Sequence, residues 1–313
     1  MHGNVNFQIQ SVFGSIKEIG QSRHIAKEEA RANGAKNWHE VGKELGVHNF
    51  NTYDGYRDVS KQMYTWVREE HGLRDLTKIE SYQIAAWLDH KMENGVNERA
   101  SYDKYASALE KLEVAINQYN TDKGIASRFI LDLKESRATA AHKLGKRSTD
   151  SRAYANPSGL VESVTGKYNL LANVIRESGA RIDEAHHIRE HQLRGVKPDP
   201  ITGELKGWVE VKGKGGKIRE IGMSLKTYDR LTKAIAAGGG LYHTNKGNYR
   251  EALQKAAQKT DQRYEGPHGQ RWSWAQARHD ELQRRGMSYE ASLTQISKEM
   301  GHARSDITCH YLH

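Results

Sequence analysis

Apolar residues in the first half of the chain recur three and four positions apart, the period of a helix with one buried face. Thr52 reads as an N-cap, and Tyr53, Tyr56, Val59, Met63 and Trp66 then form one stripe that ends at Gly72. The same spacing predicts a helix over 78–93, carried by Ile79, Tyr82, Ile84, Ala85, Leu88 and Met92 and stopped by Asn94-Gly95. A third is predicted over 99–119, with Tyr102, Tyr105, Ala108, Leu109, Leu112, Ala115 and Ile116 inward, and a fourth over 125–141. Upstream the pattern is weaker. It predicts helical pieces over 7–33 and 37–45, with Gly34 and Gly46 as breaks. The sum is a small helical bundle at 51–142, preceded by a helical extension at 1–50.

After residue 144 the apolar period disappears. Lys134, Arg137, Lys143, Lys146, Arg147 and Arg152 face only Glu135 and Asp150. We read 143–156 as a basic linker between domains, suited to tracking a polyanion, although a solvated loop is the commoner meaning of such a run. A second domain then covers 157–313. A helix is predicted over 158–177, and one alternating pattern stands out. Trp208-Val-Glu-Val211 and Ile218-Arg-Glu-Ile221 flank Lys212-Gly-Lys-Gly-Gly-Lys217, which reads as a β-hairpin with lysines near its tip. Helices are predicted over 224–236, 246–259, 271–285 and 289–300. The fold class is mainly α with a small β-hairpin.

Composition adds size and partner class. The 313 residues suffice for two domains, and only four prolines interrupt the helical patterns. No apolar run approaches the ~18 residues of a membrane span, and MHGNVNFQIQ lacks the basic start and apolar core of a signal peptide. One cysteine, Cys309, excludes an internal disulfide framework and fits a reducing cytoplasm. Lys and Arg outnumber Asp and Glu by 48 to 39, giving +9 and a pI near 9.3, while the mean hydropathy of −0.84 marks a very polar surface. That balance favours a polyanionic partner, most often nucleic acid.

Several motifs are weak alone. Gly-Lys-Gly-Gly-Lys lacks the spacing and hydroxyl of a nucleotide loop and joins two strands, so it is discounted as one. His186, His187 and His191 cluster and a metal site there is conceivable, but Cys partners and an HExxH pattern are lacking, so a chance cluster is the commoner meaning. His268 and Arg271 lie one helical turn apart after Pro267, and a surface pair would look the same. Arg181 has Glu184 three residues on and an apolar run before it (Leu170, Leu171, Val174, Ile175), which places it at a core edge. Near the end, His302 precedes Tyr311 by nine residues. Together these residues make a set for phosphoryl transfer. Arginines clamp the oxygens on which charge builds, a base helps the phenol lose its proton, and a lysine protonates the leaving oxygen.

In this order the motifs resemble the tyrosine recombinase, or phage integrase, family. Ser178-Gly-Ala-Arg181-Ile-Asp-Glu184 is similar to its first arginine motif, and Val211-Lys-Gly-Lys214-Gly-Gly-Lys217-Ile-Arg219 to its hairpin lysine motif. His268-Gly-Gln-Arg271 matches its His-x-x-Arg box, Met300-Gly301-His302 its Leu-Gly-His turn, and Tyr311 the nucleophile's place. The bundle resembles the family's core-binding domain more softly, through Thr77-Lys-Ile79 to Trp87-Leu88 and Ser101 to Leu109. Two departures stand out. The stretch from His268 to His302 is longer than the family pattern, with the excess near Gly286. The box continues Trp272-Ser-Trp274 where a His or Tyr and a small hydroxyl residue are common.

The resemblance implies two domains forming a C-shaped clamp on double-stranded DNA, and an integrase of a mobile element or genomic island. Tyr311 would attack the scissile phosphate, giving a 3′-phosphotyrosyl link and a 5′-hydroxyl. Arg181, Arg271 and His302 would hold the phosphate, with Glu184 in support. His268 would assist proton transfer and Lys214 would act as general acid. Lys143, Lys146, Arg147, Arg152, Lys212, Lys217 and Arg219 are the expected DNA contacts. No metal or other cofactor is implied. Four protomers on two sites would exchange strands through a Holliday junction, with accessory DNA-bending or directionality factors as further partners, and the protein would be cytoplasmic and nucleoid-associated. Many family members carry another helix beyond the tyrosine, so its route into its own or a neighbour's site stays open. Three other readings stay open: a type IB topoisomerase-like enzyme, a non-catalytic DNA-binding derivative, and a metal-dependent nuclease.

Overall fold

The computed structural model describes residues 1–145, 150–213, 216–302 and 306–312. Three expected functional residues, Lys146, Arg147 and Lys214, lie outside the described residues. The chain divides into two compact units, Met1–Ser148 and Thr149–His313. Among the described residues no helix is long and apolar enough to cross a membrane.

The first unit holds α1 (Val5–Gly14), α2 (Arg23–Ala32), α3 (Trp38–Glu44), α4 (Phe50–His71), α5 (Ser81–Glu93), α6 (Arg99–Asp122) and α7 (Lys134–Leu144). α4, α6 and α1 pack on one another, and α5 and α7 close the bundle. Its core includes Met63, Tyr64, Trp87, Leu88, Tyr102 and Leu109, all essentially without solvent contact. Each such aliphatic side chain contributes roughly 1.5–3 kcal/mol by leaving water. α1 is part of this core: Ile9, Val12 and Phe13 are fully buried in it. Buried Gln8 finds Tyr64, the Leu76 amide and the carbonyls of Gly3 and Arg74, so burying its amide leaves no unmet hydrogen bond. α2 and α3 build a small satellite core of Ala30, Val41 and Leu45.

Three boundaries differ from the sequence pattern. The helix expected over 7–33 is two helices, because Ser15 turns back onto the Val12 carbonyl and Lys17 bridges to Val47. α4 begins one turn before Thr52, on Asn49, whose side chain accepts from the amides of Asn51 and Thr52. The helix expected over 125–141 starts only at Lys134. Residues 125–133 are irregular rather than helical: the Asn117 side chain brackets both backbone groups of Phe129, and Asn120 takes the Ser127 carbonyl.

The second unit begins with α8 (Pro157–Ser163), α9 (Tyr168–Ser178) and α10 (Ile182–Ala185). The single helix expected over 158–177 is broken at Gly166, where φ is +63°, and Asn169 accepts the role of closing the break by donating to the carbonyls of Val161 and Val164. β1 (His187–Arg189) pairs with β5 (Leu241–His243). β2 (Leu193–Pro198), β3 (Leu205–Lys212) and β4 (Ile218–Met223) form an antiparallel sheet in the order β2-β3-β4. The expected hairpin is its β3–β4 pair, in register from Gly207 opposite Met223 to Lys212 opposite Ile218. Alternation turns Val209, Val211, Ile221 and Met223 into the core. α11 (Leu225–Ala237) covers the sheet, followed by α12 (Lys246–Lys259), α13 (Gly266–Arg284), α14 (Tyr289–Met300) and the single turn α15 (Asp306–Cys309). α13 starts five residues earlier than its apolar pattern, with Pro267 in its first turn, where a missing N–H does no harm.

Candidate active site

Two helix ends build the centre of the site. α9 and α14 both stop at a glycine in the left-handed conformation, Gly179 at φ +63° and Gly301 at φ +70°. Helix C-termini leave carbonyls without partners and carry partial negative charge. Arg271, on the buried face of α13 and 1% exposed, takes both ends. Its Nη1 donates to the Gly179 carbonyl and its Nη2 to the Met300 carbonyl at 2.6 Å. Arg181 reaches the same Met300 carbonyl at 3.4 Å. Burial, with the Arg181 charge beside it, lowers the Arg271 pKa to about 10, so it stays charged at neutral pH. Among the described residues its Nε has no hydrogen-bond partner.

Glu184 is the anionic counterpart. Its carboxylate accepts from the Arg181 backbone amide (2.8 Å) and side chain (2.9 Å), and from Arg219 Nη1 (2.9 Å) and Nη2 (2.7 Å). Burial by itself would raise its pKa. The hydrogen bonds and charge of Arg219, then the contacts of Arg181, outweigh that and hold it at about 2. Arg219 also donates from Nε to the Glu299 carbonyl and is 9% exposed in its side chain. Both edges of its guanidinium are thus occupied inside the protein.

Tyr311 lies against this cluster, 8% exposed. Its ring centroid is 5.1 Å from Trp272 and 5.4 Å from both His302 and His268. Its hydroxyl is 3.2 Å from His268 Nε2. Burial first, then the charges of Arg152, Arg271 and Arg181, lower the His268 pKa to about 4. His268 is therefore neutral at physiological pH and able to accept a proton. His302 is likewise lowered to about 4 by burial and by Arg271, Arg181 and Arg219. Arg271 Nη2 lies 3.2 Å from His302 Nε2, and Thr308 Oγ1 lies 2.8 Å from Nδ1. An arginine only donates, so Nε2 is the acceptor and the imidazole proton sits on Nδ1, facing Thr308.

Arg152, Arg181, His268 and Arg271 open onto a cleft of about 340 Å³ that also includes Arg250 and Tyr264. Arg152, expected in the linker, is held there by the Glu265 carboxylate (3.1 Å) and carbonyl (3.1 Å). Lys212 and Lys217 are exposed on the hairpin. Lys143 lies on α7, 3.8 Å from Glu93. The structure thus brings Arg181, Glu184, His268, Arg271, His302 and Tyr311 together. Sequence reasoning did not single out Thr308 or the stacking role of Trp272. The short spacing from His302 to Thr308 was the one available signal for the former. His186 and His187 gather with His243 of β5, with ring centroids 5.7–6.2 Å apart. Among the described residues no group of three His, Cys, Asp or Glu side chains is placed to hold a metal.

No protein-family model matches the chain, and no curated protein sequence matches it. Solved structures do. The pre-cleavage complex of the XerH site-specific recombinase bound to difH substrate aligns with a TM-score of 0.62 at 16% identity, covering 99% of this chain and 91% of that one. The post-cleavage XerH complex on a palindromic difH substrate aligns with the same TM-score and identity, covering 99% and 90%. At that identity the likeness is one of fold. The protein has a tyrosine recombinase fold, mostly helical with small antiparallel sheets.

Proposed function

We propose that the protein is a tyrosine-type site-specific DNA recombinase of the integrase family, which cleaves and rejoins duplex DNA through a covalent link at Tyr311. The observation that carries this reading is the Tyr311 hydroxyl 3.2 Å from a neutral His268, beside Arg271 and His302. The solved structures of like fold are DNA complexes before and after cleavage, which supports a DNA substrate.

In this mechanism the phenol oxygen bonds to phosphorus while the bond from phosphorus to the 5′ oxygen breaks. The phenolic proton passes to His268 Nε2. Charge on the non-bridging oxygens is met by Arg181 and Arg271, held ready by carbonyls and by Glu184 so that little reorganisation is needed. The leaving 5′ oxygen takes its proton from Lys214, a role that rests on the resemblance of the hairpin motif. A 5′-hydroxyl from a partner duplex reverses the step, and two such exchanges between four protomers on two sites pass through a Holliday junction.

The test is a nicked suicide duplex of the cognate site, from which the cleaved 5′ end is lost. Wild-type protein is expected to accumulate a covalent adduct, and Tyr311→Phe to bind DNA without forming one. An adduct in the Phe variant would move the nucleophile elsewhere; none in the wild type would remove the recombinase reading.

A further inference from the structure

The first unit has its own concave site, about 310 Å³, where α2, α3, the start of α4 and the middle of α6 meet. Arg23 and Lys27 of α2 and Lys111 of α6 line it together with Trp38 and His48. Among the described residues neither Arg23 nor Lys27 has a carboxylate partner. Trp38 holds the α2 cations in place: Lys27 Nζ lies 5.1 Å and the Arg31 guanidinium 5.0 Å from its ring centroid. Lys111 Nζ donates to the Gly42 and Leu45 carbonyls at 2.6 and 2.7 Å, the free end of α3. Glu18 is the nearby acid. Its carboxylate is 3.1 Å from His48 Nε2, without hydrogen-bond alignment.

The cations crowd one another more than Glu18 relieves them. Burial, and after it the Arg23 charge, lowers the Lys111 pKa to about 8. Burial, then Arg23 and Arg31, also lowers that of Lys27. An anion placed among these cations would relieve that repulsion. Donors arriving from separate elements suit a tetrahedral anion with several oxygens better than a planar carboxylate.

We propose that this pocket binds a phosphate group, with Arg23 and Lys27 as its solvent-side donors and Lys111 as its buried wall. The phosphate belongs either to a DNA backbone, giving the N-terminal segment a contact of its own, or to a free nucleotide. The site needs nothing from Tyr311.

Arg23 and Lys27 are surface residues, so the full chain carrying Arg23→Ala with Lys27→Ala keeps its fold, which its unfolding midpoint checks. Duplex affinity is measured by fluorescence anisotropy over a salt series. In a second arm, unfolding midpoints are compared in inorganic phosphate and in chloride of equal ionic strength. If the source is DNA, the slope of log K against log salt falls by ~1–2 and affinity drops several-fold in the variant. If it is a free phosphate, wild type alone is stabilised in the second arm and the DNA slope is unchanged. No difference between variant and wild type in either arm overturns the proposal. Adduct formation at Tyr311, scored on the same proteins, reports separately on the recombinase reading.

Discussion

Arg219 and Glu184 meet fork to fork, with Nη1 2.9 Å from one carboxylate oxygen and Nη2 2.7 Å from the other. The carboxylate is 2% exposed and also carries Arg181. One pair therefore joins β4 to the arginine at the head of α10. Removing one partner strands a buried charge, which costs roughly 3–5 kcal/mol. Glu184→Gln is expected to lower stability by about that much in urea titrations, and Arg219→Lys by less, because one ammonium replaces a two-point contact. A Glu184→Gln protein as stable as wild type would mean the pair is not what holds Arg181.

Gly179 is constrained twice. Its φ of +63° disfavours any side chain, and a Cβ there would lie 2.3 Å from the Trp274 ring. The strain adds ~1–2 kcal/mol and the overlap a further ~1–3. Gly286 has a φ of +89° but open space around it. Gly179→Ala is expected to destabilise clearly more than Gly286→Ala in matched thermal melts. Equal losses would show that Trp274 moves aside freely.

Lys214 can be tested without its position. If it protonates the 5′ oxygen, a bridging 5′-phosphorothiolate, whose sulfur leaves without a proton, makes it dispensable. Lys214→Ala is expected to slow adduct formation on the oxygen substrate by roughly 10²–10⁴-fold and far less on the sulfur one. The same defect on both would take the general-acid role from Lys214.

The chemistry was more legible than the packing. Arg181, His268, Arg271, His302 and Tyr311 stand out because phosphoryl transfer restricts residue type and the motifs follow in order. Periodicity located most helices, since one buried face leaves a stripe. It missed boundaries set by side chains acting over a distance, such as Asn117 taking both backbone groups of Phe129. The ion pair of Arg219 was hidden for a related reason. A hairpin arginine beside lysines looks like a DNA contact, and nothing local reveals that Glu184, 35 residues earlier, receives it. Thr308 offered no signal beyond its short spacing from His302, because its hydroxyl matters only once α15 sets it beside the His302 ring.

The two histidines tie stability to pH in a defined window. Folded His268 and His302 titrate at about 4, against an ordinary 6.5. Between those values the unfolded chain binds protons that the folded protein refuses, so falling pH favours unfolding. Their contribution is complete above 6.5, declines as pH drops towards 4, and changes no further below. Glu184 acts in a separate range: its folded pKa of about 2 against 4.5 gives stability that is present above 4.5 and lost as pH falls through 2. Urea midpoints of the wild type are therefore expected to begin falling at 6.5, before the Glu184 range is reached. His268→Gln with His302→Gln is expected to flatten the profile between 6.5 and 4 while keeping the loss below 4.5. If the double variant retains the full wild-type slope in the upper window, other groups cause it and neither imidazole is held neutral by its burial among the arginines.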